Sequence, residues 1–137
     1  MPFGKTFAAI LVLGALTACA TDAPEVSVDP PTAEIQASKA LPVEWASFIN
    51  HGIIAHYYPR KAWDAQEDGL VYVSCAWDGK GKVTNCRVLR EAPAGFGFGA
   101  ATVEMLRDVG LVRSKDRSKP IEAGEGLVIG IAWHNRG

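Results

Sequence analysis

Cysteine and histidine offer the most chemistry in this 137-residue chain, and it holds three of each. Cys75 lies in the run Leu70 to Trp77 and Cys86 in the run Val83 to Glu91, with Asp78-Gly79-Lys80-Gly81-Lys82 between them. Both runs are rich in β-branched and aromatic residues, and the middle is turn chemistry, so the stretch reads as a β-hairpin. A turn centred on Lys80-Gly81 sets Cys75 opposite Cys86, Val73 opposite Val88, Val71 opposite Arg90 and Trp77 opposite Thr84. Opposed Cβ atoms on one sheet face lie about 4.5–5.5 Å apart, close to what a disulfide spans. The competing chemistry is metal ligation by the two thiols with His51, His56 or His134. The wide spacing of the cysteines is not that of a zinc knuckle and the histidines are scattered, so the disulfide is the reading we carry forward.

Cys19 stands in a different setting. Lys5 and the α-amine give a positive start, and Phe7 to Leu16 is an apolar run far short of the about 20 residues a spanning helix needs. Leu16-Thr17-Ala18-Cys19 follows. A Leu and two small residues before a Cys look like a bacterial lipobox, in which the thiol carries a diacylglycerol and cleavage leaves the Cys as the new amino terminus. This predicts a lipoprotein signal peptide over residues 1–18, lipid on Cys19, and firm anchoring through more than one acyl chain. Ala20, where inner-membrane retention favours Asp, resembles an outer-membrane address. Export also makes a Cys75–Cys86 disulfide chemically permissible.

These groups need elements to hold them. Residues 19–41 contain Pro24, Pro30 and Pro31 among small polar residues, with no sustained apolar period, and read as a flexible tether. The folded domain is expected over residues 42–137. Pro42 can open a helix, and Trp45, Phe48, Ile49 and Ile53 follow at helical spacing. Tyr58-Pro59 ends it, and a short helix to about Gln66 follows. After the hairpin, the glycine-rich stretch Gly95 to Gly99 leads to a helix over about Phe98 to Asp108, burying Phe98, Ala101, Met105 and Val109. Arg113 to Lys119 reads as a basic loop. Leu127, Ile129, Ile131 and Trp133 then alternate along a last strand. This is an α+β domain: a small three-stranded antiparallel sheet packed against two or three helices.

Other chemistry finds less support. The segment Gly95-Phe96-Gly97-Phe98-Gly99 lacks the Gly-Lys-Ser/Thr ending of a phosphate loop. Arg113, Lys115, Arg117 and Lys119 could meet lipopolysaccharide, peptidoglycan or an acidic partner, but Asp116 interrupts them and a solvated loop is the simpler reading. There is no Gly-x-Ser-x-Gly and no His-Glu-x-x-His. His51 or His56 with Asp64 or Glu67 would make an acid–base pair only through folding that spacing does not dictate. A composition of 48% hydrophobic and 21% charged residues with formal charge −1 fits one small globular domain and does not suggest nucleic acid as the main partner. No enzyme and no cofactor is expected.

The ordered set Tyr58-Pro59, Ala62, Gly69, Val71-x-Val73-x-Cys75, Gly81, Val83, Cys86-x-Val88, Glu91-x-Pro93-x-Gly95-x-Gly97-Phe98-Gly99-x-Ala101 resembles the carboxyl-terminal domain of TonB, the energy transducer of Gram-negative bacteria, over about residues 55–134. More narrowly it resembles the branch with paired hairpin cysteines and Gly-Phe-Gly before the second helix. The resemblance implies two or three antiparallel strands against two helices. It also implies binding of an extended peptide, the Ton box of an outer-membrane receptor, as an added strand beside the last one. An exposed edge offers the unpaired N–H and C=O groups this requires. Here that edge is Leu127, Val128, Ile129, Gly130, Ile131, Ala132 and Trp133, with the family motif Tyr58-Pro59 as a side wall. TonB itself has an amino-terminal transmembrane helix and a long Pro-rich spacer, where this chain has a lipoprotein-type leader and a short tether. The expectation is therefore a lipid-anchored binding module on the periplasmic side of the envelope, outer membrane before inner, connected with TonB-dependent transport. The alternative is a structural envelope lipoprotein whose edge pairs with its own copy as a homodimer.

Overall fold

The computed structural model describes residues 26–136 apart from Phe48. Cys19, the signal peptide and the first part of the tether lie outside these residues. The elements are α1 (Thr32–Lys39), β1 (Val43–Trp45), α2 (His51–Tyr57), α3 (Arg60–Asp64), β2 (Gly69–Trp77), β3 (Val83–Ala92), α4 (Phe98–Val109), β4 (Val112–Ser114) and β5 (Gly124–Trp133). The expected α+β architecture is present: an antiparallel sheet in the order β3-β2-β5, with helices against it.

The hairpin forms because its turn is chemically self-sufficient. One Asp78 carboxylate oxygen accepts the N–H groups of Lys82 and Lys80, each at 2.9 Å, and these bonds hold the carboxyl below its ordinary pKa. Gly81 takes the left-handed backbone, φ 81°, that closes the turn. The resulting register pairs Cys75 with Cys86 and Val73 with Val88, and the two cysteines form a disulfide with Cα atoms 4.0 Å apart. Closing so short a loop places its contribution at the lower end of about 2–4 kcal/mol. With both sulfurs bonded to each other, the metal-ligand reading of these cysteines falls away. Two pairs differ from expectation: Val71 faces Glu91, not Arg90, and Trp77 faces Val83, not Thr84. A register shift separates each of these pairs from the cysteine pair, between Tyr72 and Val73 and between Ala76 and Trp77. The second coincides with a shift against β5, where Trp77 pairs with Gly124. There the Trp77 indole N–H donates to the Glu122 carbonyl at 2.8 Å.

The core lies between the sheet and α4. Val71, Val73, Cys75 and Trp77 of β2 are buried with Leu127, Ile131 and Trp133 of β5 and with Phe98, Met105 and Leu106 of α4. Full burial of such side chains stabilises by roughly 1.5–3 kcal/mol each. Thr102 is also fully buried; its hydroxyl donates to the Phe98 carbonyl at 2.8 Å and accepts the Trp133 indole N–H at 3.0 Å.

Three sequence expectations are corrected. The tether does not extend to residue 41, because Thr32–Lys39 is helical and packs against β5. Its Ala, Glu, Gln and Lys are good helix formers, Glu34 and Lys39 sit at the ends a helix dipole favours, and Pro31 before it is fully buried. The helix expected from Pro42 is instead a strand and then a shorter helix. Val43–Trp45 pairs antiparallel with Val112–Ser114, and α2 starts only where the Asn50 side chain accepts the Ile53 N–H at 3.0 Å. The start of the basic loop is therefore strand β4, and Arg113 pairs with Glu44 across the ribbon at 2.7 Å.

Candidate functional site

A strand at the rim of a sheet alternates the sense of its backbone groups: one residue bonds its neighbour, the next points outward. Both backbone groups of Val128 point outward on β5. Its N–H donates to Ser38 Oγ at 2.8 Å and its carbonyl accepts the Trp45 indole N–H at 3.2 Å. By alternation Gly130 and Ala132 point the same way, while Ile129 and Ile131 face β2, paired with Val73 and Val71. Gly130 and Ala132 are exposed, and their outward groups have no partner among the described residues. The expected edge therefore divides in two: Val128 is capped, and Gly130 to Ala132 is open.

The open part runs beside a groove of about 590 Å³ lined by Ser47, Ile49, Asn50, His51, Ile54, Ile129, Gly130, Ile131, Ala132 and His134. Its apolar wall is Ile49 and Ile54 opposite Ile129 and Ile131, and the histidines stand with the polar groups around it. The wall is positioned by Ser47, whose hydroxyl donates to the Val109 carbonyl at 3.1 Å and accepts the Leu111 N–H. From the other end, the Tyr57 hydroxyl donates to Asp108 of α4 at 2.9 Å. His134 lies 3.5 Å from Asp68, whose other oxygen accepts the Asn135 N–H at 2.7 Å. Backbone donors and acceptors in line beside alternating apolar contacts are suited to holding an extended chain.

Of the residues expected at the site, Leu127 and Trp133 are core, Ile129 and Ile131 form the inner wall, and Val128, Gly130 and Ala132 carry the outward backbone. Tyr58 is not a side wall. Its ring packs edge-on against Trp63, Phe98 and Trp133, with centroids 5.6, 5.8 and 5.7 Å away, and its hydroxyl donates to the Glu67 carbonyl at 2.5 Å. Burial, with Asp68 and Glu67 nearby, pushes this phenol up to about 12. It is a neutral internal donor that fixes the chain before β2. The wall opposite β5, formed by Ser47, Ile49, Asn50, His51 and Ile54, had one signal in the sequence: Asn50 as a helix cap followed by Ile53-Ile54. Among the described residues no group of His, Cys, Asp and Glu is placed to hold a metal.

A family model described as the Gram-negative bacterial TonB protein C-terminal matches residues 55–123, ending one residue before β5 begins. The solution NMR structure of the Pseudomonas aeruginosa TonB CTD is similar over 70% of this chain and 89% of that one, with a TM-score of 0.50 and 14% sequence identity. At that identity the likeness is one of fold. No curated protein matches.

Proposed function

This chain belongs to the TonB C-terminal family, and on that premise we propose that it is a non-enzymatic protein-binding module that takes an extended peptide as an added strand along the outer edge of β5. Domains of this family are interaction modules of the Gram-negative envelope linked to TonB-type transport. The observation that carries the proposal is the pair Gly130 and Ala132, exposed on the outer edge of β5 beside an apolar groove. The occupant has the chemistry of a Ton box or another extended envelope peptide. Each outward residue exchanges backbone hydrogen bonds with it, and its alternate side chains meet Ile49, Ile54 and Ile129.

The direct test is titration of the full chain with Ton-box peptides, followed by amide NMR shifts. Resonances of Gly130, Ala132 and His51 are expected to move. Ala132→Pro removes an outward N–H while leaving the β2–β5 ladder intact, since proline is tolerated on an edge and an extended Ile131 suits the residue before it. Losing that donor weakens binding about tenfold. Unchanged affinity in a folded Ala132→Pro protein rejects strand addition here. Concentration-dependent dimerisation by sedimentation, with no peptide affinity, would instead favour pairing of the edge with its own copy.

The proposal includes a lipid anchor on Cys19 after removal of residues 1–18, with the outer membrane as address. No helix among the described residues is long and apolar enough to cross a membrane. Metabolic labelling with a radioactive fatty acid is expected to tag the wild type in the outer-membrane fraction and to leave Cys19→Ser untagged. Equal labelling of both proteins rules the anchor out.

A further inference from the structure

The cap on Val128 is unusual in kind. Its N–H and carbonyl are taken not by another strand but by two side chains, Ser38 Oγ and Trp45 Nε1, both from the segment ahead of the matched family residues. We infer that residues 31–42 form a displaceable strap, and that Ser38 on it and Trp45 just beyond it set the length of the extended segment that β5 accepts. This rests on the strand-addition reading. With the strap closed, the edge offers two outward residues, Gly130 and Ala132. With it open, Val128 makes a third.

The exchange is balanced at the bonds themselves. An entering strand gives the Val128 N–H a carbonyl in place of Ser38 Oγ, and gives the Val128 carbonyl an amide in place of the indole. The two Val128 groups are paired in both states, and the freed Ser38 hydroxyl and Trp45 indole N–H turn to water, so the net cost of the exchange is small.

What holds the strap is also modest. Within α1 only Ser38 is buried, while Thr32, Ala33, Gln36, Ala37 and Lys39 are exposed. The fixed points lie at its two ends. Pro31 is buried at the start, and Lys115 holds the finish through bonds to the carbonyls of Lys39 and Pro42 at 2.8 and 2.9 Å. β1 stays paired with β4, so Ser38 can leave with α1 while Trp45 needs only a change of side-chain rotamer. An occupant confined to the open edge spans roughly four residues at about 3.4 Å each. A longer one meets Ser38 and Trp45 and must displace them.

Amide hydrogen exchange on the full chain tests the strap without any ligand. Elements that open locally exchange ahead of the global core. The Val128 N–H is expected to exchange at least about tenfold faster than those of Ile129 and Ile131, which bond β2. Ser38→Ala is expected to accelerate Val128 about tenfold again and leave the other two unchanged. Equal exchange of Val128, Ile129 and Ile131 in the wild type overturns the proposal. Two synthetic peptides of alternating Thr and Ile, about four and about ten residues long, then test the length rule. Both should slow exchange at Gly130 and Ala132, and only the longer should shift the Trp45 indole resonance. Protection by the longer peptide with an unmoved indole also overturns it. Failure of both peptides to protect Gly130 and Ala132 rejects strand addition and the length rule with it, and the Val128 rates alone then decide whether the strap opens.

Discussion

Replacing Trp133 with Ala is expected to lower the unfolding free energy by about 3–5 kcal/mol. The indole is fully buried at the end of β5. It meets Tyr58 edge-on at 5.7 Å and lies tilted against Phe98 at 6.0 Å. Its N–H donates to Thr102 at 3.0 Å. The segment at Tyr58 and helix α4 therefore both pack on one ring of β5. Opposite Trp133 in the ladder is Gly69, where an added Cβ would stand 2.5 Å from the Phe98 ring, so that side is already filled. A domain of this size holds roughly 5–15 kcal/mol in total, so the loss is a large share of it. Urea unfolding should show a lower midpoint with little change in slope. Trp133→Phe keeps most of the packing and loses the hydrogen bond, at a cost of about 1 kcal/mol. A loss below about 1 kcal/mol for Trp133→Ala would show that this ring does not anchor the strand. The functional consequence follows from position. Ala132, half of the open edge, is the next residue, and a frayed β5 terminus presents it poorly.

The sequence makes some of this legible and hides the rest for physical reasons. The hairpin register at Cys75 and Cys86 is readable because Asp78 and Gly81 build the turn from local chemistry alone. The alternation of Leu127, Ile131 and Trp133 is readable because one face of β5 is covered. Ile129 keeps the period but is only half-buried, since it faces the groove. The helix α1 has Ile35 as its one large apolar residue, so it carries no apolar stripe; it is fixed by Pro31 and by the Val128 N–H, which donates to the Ser38 hydroxyl. The ribbon of β1 and β4 is hidden for another reason. Each strand is three residues long, and its partner is distant in sequence, so nothing local to Val43 announces Ser114. Tyr58-Pro59 ends α2, as a residue before proline should, but the packing of the Tyr58 ring is hidden. Its neighbours in space are aromatic residues from α3, α4 and β5, which no spacing within the motif reveals.

The same distant pairing links the hairpin turn to the site, and Gly81→Ala exposes the link. At Gly81 φ is 81°, and a Cβ there would stand 2.2 Å from the Val112 carbonyl oxygen. The two backbones are in contact, with the Val112 N–H donating to the Gly81 carbonyl at 2.7 Å. Gly95 has a similar φ of 86° but nothing within 4 Å of its would-be Cβ. Gly95→Ala therefore measures the left-handed backbone penalty alone, about 1–2 kcal/mol. Gly81→Ala adds the displacement of β4, and we expect a total loss of about 3–5 kcal/mol by urea unfolding. Val112 pairs with Trp45 in the ribbon, and Trp45 caps Val128. Moving β4 should therefore shift the Trp45 indole resonance and speed exchange of the Val128 amide, changes that Gly95→Ala should not produce. Equal losses for the two variants would mean that the contact between the turn and β4 is not held in solution. A larger loss for Gly81→Ala with an unmoved indole would keep that contact and separate it from the edge of β5.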